Sequence, residues 1–165
     1  MDLSFSYVLS QIFVILYYLI YSSTYQLKDN KKILGYGIIA TILSAISYML
    51  LGAYTGMFMC LIAIIRNLIF QKENKNLLGF IFIIILTLLF LIMTFDSWFC
   101  LFNGLATLLY TYALWQKDTK VYKLLGIIVN LLMVIYNGYI KSILGFIFIL
   151  ISLISSITGY FKEEK

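Results

Sequence analysis

Chemistry in this chain would have to come from a small set of polar side chains in apolar surroundings: Gln11, Thr41, Ser44, Asn103, Thr107, Asn130, Ser152, Ser155 and Ser156, together with the one arginine, Arg66, beside Asn67. Amides and hydroxyls of this kind donate and accept hydrogen bonds, but they carry no proton that titrates near neutral pH, so they suit the holding of a polar molecule better than its conversion. The sequence contains no His and no Pro, and Cys60 and Cys100 stand alone in apolar runs without CxxC or Cys/His spacing. An ordinary zinc site and a disulfide framework are excluded on those grounds. No intramembrane carboxylate pair, no HExxH and no Ser or Cys with a recognisable base is present, so the expectation is a protein that is not an enzyme and uses no cofactor or metal.

Depth gives these residues their meaning. With 63% hydrophobic and 12% charged residues, the chain has too little polar side chain to clothe a soluble domain and reads as an all-α polytopic membrane protein. A helix needs about twenty mainly apolar residues to cross the hydrocarbon core, and seven stretches qualify: 5–24, 33–52, 54–71, 77–95, 97–115, 121–140 and 143–161. A membrane barrel would need alternating strands, whereas runs such as Leu77 to Thr94 are apolar throughout. The joints at 52–56 and 95–98 are short enough to make helical hairpins.

Orientation follows from the basic residues. Lys28, Lys31, Lys32, Arg66, Lys72, Lys75, Lys117, Lys120, Lys123, Lys162 and Lys165 all fall on one side of the membrane, and only Lys141 falls on the other. Basic loops stay cytoplasmic, which puts the N-terminus outside and the C-terminus inside. The first residues, Met1 to Phe5, carry no Lys or Arg, so no cleaved signal peptide is expected. Placed between apolar segments, the lysines behind the net charge of +5 read as topology signals and phospholipid contacts, and nucleic acid is not an expected partner.

The sequence also repeats itself. A shift of 89 positions, without a gap, sets Tyr21 on Tyr110, Lys28-Asp29-x-Lys31 on Lys117-Asp118-x-Lys120, Gly37-Ile38-Ile39 on Gly126-Ile127-Ile128 and Gly56 on Gly145. Partners four crossings apart run in the same direction, which predicts a parallel 3+1+3 repeat. Residues 1–75 form one three-helix bundle, 76–95 a linker helix and 96–165 a second three-helix bundle. Such a layout places substrate sites near the midplane between the halves.

The order Leu50-Leu51-Gly52-Ala53-Tyr54-Thr55-Gly56, then Ile65-Arg66-Asn67, Leu105-Ala106-Thr107, Gln116-Lys117-Asp118, Ile135-Tyr136-Asn137 and Ser142 resembles the YgjV-type bacterial inner-membrane proteins. More distantly, the layout is similar to the SWEET, semiSWEET, PQ-loop and PnuC carriers. The Pro-Gln pair of the PQ-loop group is missing here. The first resemblance implies the inner, cytoplasmic membrane of a bacterium; the second implies movement of a small solute.

Polar side chains in lipid are costly and tend to face the bundle interior. Gln11, Thr41, Asn103 and Asn130 are the expected substrate-binding residues near mid-depth, and Thr41 and Asn130 are equivalent in the repeat. Arg66 and Asn67 are expected at the cytoplasmic mouth, where the guanidinium could equally snorkel to lipid phosphates. Tyr25, Trp98, Trp115, Tyr122, Tyr139 and Tyr160 lie at span ends and read as an interfacial belt, while Tyr17, Tyr48, Tyr110 and Tyr136 lie deeper and could stack on a ring. With no charged side chain expected at mid-depth, the favoured function is an uncoupled facilitator of a small uncharged polar solute such as a sugar, nucleoside or vitamin precursor. The alternative is a non-transporting assembly, accessory or immunity protein, favoured by the missing prolines. The expected partners are membrane lipids and the solute, and so apolar a surface is compatible with a homo-oligomer.

Overall fold

The computed structural model describes residues 5–72 and 76–163, except for the side chain of Glu163. Residues 1–4, Lys75 and Lys165, used above for the signal-peptide and orientation readings, lie outside the described residues. Seven helices and no strand occur among those described: α1 (Phe5–Thr24), α2 (Asn30–Leu50), α3 (Tyr54–Lys72), α4 (Leu77–Met93), α5 (Cys100–Gln116), α6 (Thr119–Tyr139) and α7 (Ile143–Glu163). Five of them, α1, α2, α3, α6 and α7, are long and apolar enough to cross a membrane. The other two have 17 residues each, which at about 1.5 Å per residue is shorter than a bilayer core of about 30 Å.

Three helix starts differ from the sequence reading, each for a local reason. Helix α2 starts at Asn30 and α6 at Thr119, ahead of the apolar runs, because Asp29 and Asp118 act as N-caps: Asp29 accepts from the Lys31 amide at 2.9 Å and Asp118 from the Lys120 amide at 2.8 Å. A capping carboxylate satisfies amides that the first turn leaves unpaired, so polar residues join the helix. Helix α5 starts at Cys100 rather than 97, since residues 97–102 are joined by tight turns in which the amides of Cys100, Leu101 and Phe102 donate to the carbonyls of Ser97, Trp98 and Phe99.

The α2–α3 joint turns at Gly52, whose φ of +69° is a left-handed conformation that costs a residue without Cβ nothing. Four residues later Gly56 lets α3 come close to two rings: a Cβ there would stand 2.9 Å from Tyr48 Cγ and 3.0 Å from Tyr136 Oη. The Gly52-x-x-x-Gly56 spacing therefore serves a turn at one end and a close contact at the other.

Helices α1, α2 and α3 pack in sequence, as do α5, α6 and α7, and α4 touches both α3 and α5. Two further contacts cross the molecule, α1 with α7 and α3 with α5. Lipid is as apolar as leucine, so packing and polar stitches hold such helices together. Along the α1–α7 contact, Ser22 Oγ meets Ser152 Oγ at 2.6 Å, and Ser155 Oγ donates to the Ser22 carbonyl at 2.7 Å. Gln11 adds a third stitch: its Oε1 accepts from the Leu144 amide at 3.0 Å, so a side chain of α1 caps the start of α7.

Candidate functional site

Side chains of five helices line a cavity of about 90 Å³. Tyr17 and Tyr21 come from α1, Thr41, Ser44 and Tyr48 from α2, Cys60 and Arg66 from α3, Asn103, Thr107 and Tyr110 from α5, and Val129 and Met133 from α6. A single water needs only about 10–15 Å³, so the space admits several waters or one small molecule.

Arg66 is 3% exposed and lies on this wall, which corrects the reading in which its head group reaches lipid phosphates. Nε donates to Asn67 Oδ1 at 3.0 Å and Nη1 to Thr111 Oγ1 at 3.4 Å, while the guanidinium lies 5.2 Å from the centre of the Tyr110 ring. The cavity wall therefore carries a charged side chain, where the sequence reading expected none at mid-depth. Asn67 is buried beside Arg66 but is not part of the wall; its amide packs against Gly37 of α2.

Thr41 and Asn103 are on the wall. The Thr41 hydroxyl donates to the Gly37 carbonyl at 2.6 Å, and Thr107 donates to the Asn103 carbonyl at 2.9 Å. Each thus turns its proton back onto its own helix and leaves oxygen lone pairs for other partners. Asn103 is 4% exposed, and its buried Nδ2 has no hydrogen-bond partner.

Asn130, the repeat equivalent of Thr41, is not on the wall. It is fully buried, and Nδ2 donates to Tyr25 Oη at 3.4 Å and Ser156 Oγ at 3.3 Å, tying α6 to α7 and to the α1–α2 connection. Gln11 is also elsewhere, capping α7 as described above. Of the six candidate residues, the cavity brings together Thr41, Arg66 and Asn103.

Tyrosines cluster at both ends of the cavity. At the end nearest the α1–α2 connection, Tyr21 Oη and Tyr25 Oη are 2.6 Å apart, Tyr110 donates to Tyr122, and Tyr122 Oη meets Thr24 Oγ1 at 2.6 Å. At the other end, Tyr48 and Tyr136 meet edge to face with centroids 5.9 Å apart. Tyr25 and Tyr122 are buried and stacked on each other, and so do not belong to an interfacial belt; Trp98 and Tyr139 are exposed as that reading expects. Lys123, read as a loop charge, is buried in the first turn of α6. The sequence signal for the tyrosine end was available: Tyr18, Tyr21 and Tyr25 recur at helical spacing, and the repeat sets Tyr21 on Tyr110. No cluster of three or more His, Cys, Asp or Glu occurs among the described residues.

Residues 8–165 match the model of the Imp-YgjV family, described as a bacterial inner membrane protein. No curated protein and no solved structure matches the chain.

Proposed function

The chain belongs to the Imp-YgjV family of bacterial inner membrane proteins, and from that premise we propose that it is a carrier, moving a small polar solute between two similar three-helix units without chemical change, cofactor or coupling ion. The observation behind this reading is the cavity between the helices, whose polar wall is drawn from α1, α2 and α3 on one side and from α5 and α6 on the other.

Several features support two parallel units joined by α4. Helices α2 and α6 both run for 21 residues and start and stop 89 positions apart, each behind an aspartate cap, and α3 and α7 begin with the same offset. Residues with positive φ recur at Gly52 and Lys141, again 89 apart. The crossing contacts α1–α7 and α3–α5 exchange with each other when α1, α2 and α3 are matched to α5, α6 and α7. In this reading all seven helices cross the membrane, the bilayer thinning around α4 and α5. The bias of Lys and Arg then puts the N-terminus outside and the C-terminus in the cytoplasm.

A second reading, a non-transporting accessory protein, is favoured by the unbroken helices of the wall, since carrier sites usually involve discontinuous ones. Counterflow in proteoliposomes separates the two. Purified full-length protein is screened against labelled sugars, nucleosides, vitamin precursors and small organic acids. Exchange of one class that is lost on replacing Arg66, Asn103 and Thr41 together is the expected result, and no exchange of any class would leave the accessory reading.

A further inference from the structure

Among the described residues Arg66 is the only charged one on the cavity wall, and no described carboxylate answers it. Of the described acids, Asp29 and Asp118 cap helices and Asp96 accepts from the Cys100 thiol. The partners of Arg66 are two neutral oxygens and the face of one ring. Among the described residues, two of its five N–H groups find hydrogen-bond partners. A guanidinium taken out of water loses far more than two neutral hydrogen bonds and one cation–π contact return. Within a membrane span such a charge marks a ligand or an ion path.

Asn103 is an independent second observation. It lines the same cavity, is 4% exposed, and its buried amide nitrogen, beside the Tyr136 hydroxyl, makes no close hydrogen bond. The hydroxyl protons of Thr41 and Thr107 are already given to backbone carbonyls. Arg66 and Asn103 thus add a cation and an amide N–H to the wall, both donors. What such a wall lacks is a negatively charged acceptor.

We propose that the cavity binds a small planar monocarboxylate, with its oxygens held by the Arg66 guanidinium and the Asn103 amide and its remainder among the rings of Tyr17, Tyr21, Tyr48 and Tyr110. The planar fork of arginine matches a carboxylate in two parallel hydrogen bonds. One cation neutralises one negative charge, so a dianion such as phosphate would leave a net buried charge. The cavity of about 90 Å³ limits the molecule to a few heavy atoms. This inference rests on reading the cavity as the solute site of a carrier.

The test uses the full chain and pyruvate as probe, against its neutral isostere pyruvamide and against inorganic phosphate. Calorimetric titration of the purified protein measures binding; counterflow of labelled pyruvate in proteoliposomes measures movement. Pyruvate is expected to bind at least about tenfold more tightly than either comparator, in keeping with the strength of charge-assisted bonds. Arg66→Gln should abolish that preference, and Arg66→Lys should keep part of it, retaining the charge without the fork. Asn103→Ala, which leaves the charge in place, should weaken pyruvate binding and leave pyruvamide less affected. Equal binding of pyruvate and pyruvamide, absent pyruvate binding, or a preference that survives Arg66→Gln overturns the proposal, and exchange of a neutral solute in the screen would then leave the carrier reading standing. Arg66-dependent pyruvate binding without any counterflow keeps the anion site and removes the carrier.

Discussion

Tyr21 and Tyr110, which the proposed repeat sets on each other, meet ring to ring with centroids 6.0 Å apart. Two equivalent residues touch only if both lie close to the axis that relates them, so this contact marks where such an axis would pass. It also lies at the end of the cavity nearest the α1–α2 connection, with Tyr25 and Tyr122 bonded behind it. Removing both rings should open that end. In a Cys100→Ser background, the double replacement Tyr21→Ala and Tyr110→Ala is expected to speed maleimide labelling of Cys60, a buried wall residue, while Tyr139→Ala, an exposed ring, should not. Unchanged labelling would show that the rings do not gate access.

A second expectation concerns the two glycines of the α2–α3 hairpin. A methyl group at Gly56 would press on Tyr48 and Tyr136 at about 3 Å, so Gly56→Ala should destabilise the protein by about 1–3 kcal/mol through overpacking. Gly52 has open space around it and a φ of +69°. Its replacement by Ala should cost about 1–2 kcal/mol from backbone strain alone. Thermal unfolding in detergent checks both, and Gly52→Asn, which tolerates the left-handed region, should recover part of the loss only at position 52.

The helices were legible because the apolar runs are long and nearly free of charge, whereas the starts of α2 and α6, set by the caps Asp29 and Asp118 ahead of those runs, were not. What hydropathy cannot supply is the direction in which a side chain faces around its helix. Thr41 and Asn130 have equivalent places in the repeat, yet Thr41 lines the cavity and Asn130 faces α7. Tyr25 and Tyr122 stand at span ends, as belt residues do, and are buried by stacking across the molecule. Arg66 lies near enough to a helix end to reach lipid, and only its tertiary contacts turn it inward.

Gln11 should prove structural. Its side chain caps α7 across the molecule, so Gln11→Leu is expected to lower stability by about 0.5–2 kcal/mol, the usual effect of losing a cap, with solute affinity unchanged. Calorimetry beside thermal unfolding separates the two effects, and a large loss of affinity at unchanged stability would place Gln11 in the pathway.

Asn130 gives the sharper contrast with Asn103. Replacing Asn130 by Leu removes two long hydrogen bonds and also a buried carbonyl oxygen that has no partner. These effects oppose each other, so the net change in stability should stay within about 1 kcal/mol, and counterflow should persist. Asn103→Leu should instead reduce counterflow. If Asn130→Leu abolishes exchange in a protein that still unfolds at the parental temperature, the amide acts on the solute and the cavity extends past α6 in another state of the carrier.

The last expectation follows from moving an anion through a site whose counter-charge stays with the protein. If Arg66 neutralises the bound monocarboxylate and no ion travels with it, each crossing carries one negative charge across the membrane. A potential of 100 mV, positive inside, should then draw the anion in with about 2.3 kcal/mol, roughly a fiftyfold accumulation at equilibrium. Proteoliposomes clamped with potassium and valinomycin provide the potential, and labelled pyruvate reports the distribution. Uptake that ignores the potential but follows a pH or sodium gradient would show that a cation accompanies the anion, and the uncoupled mechanism would have to be abandoned even if the Arg66 site were retained.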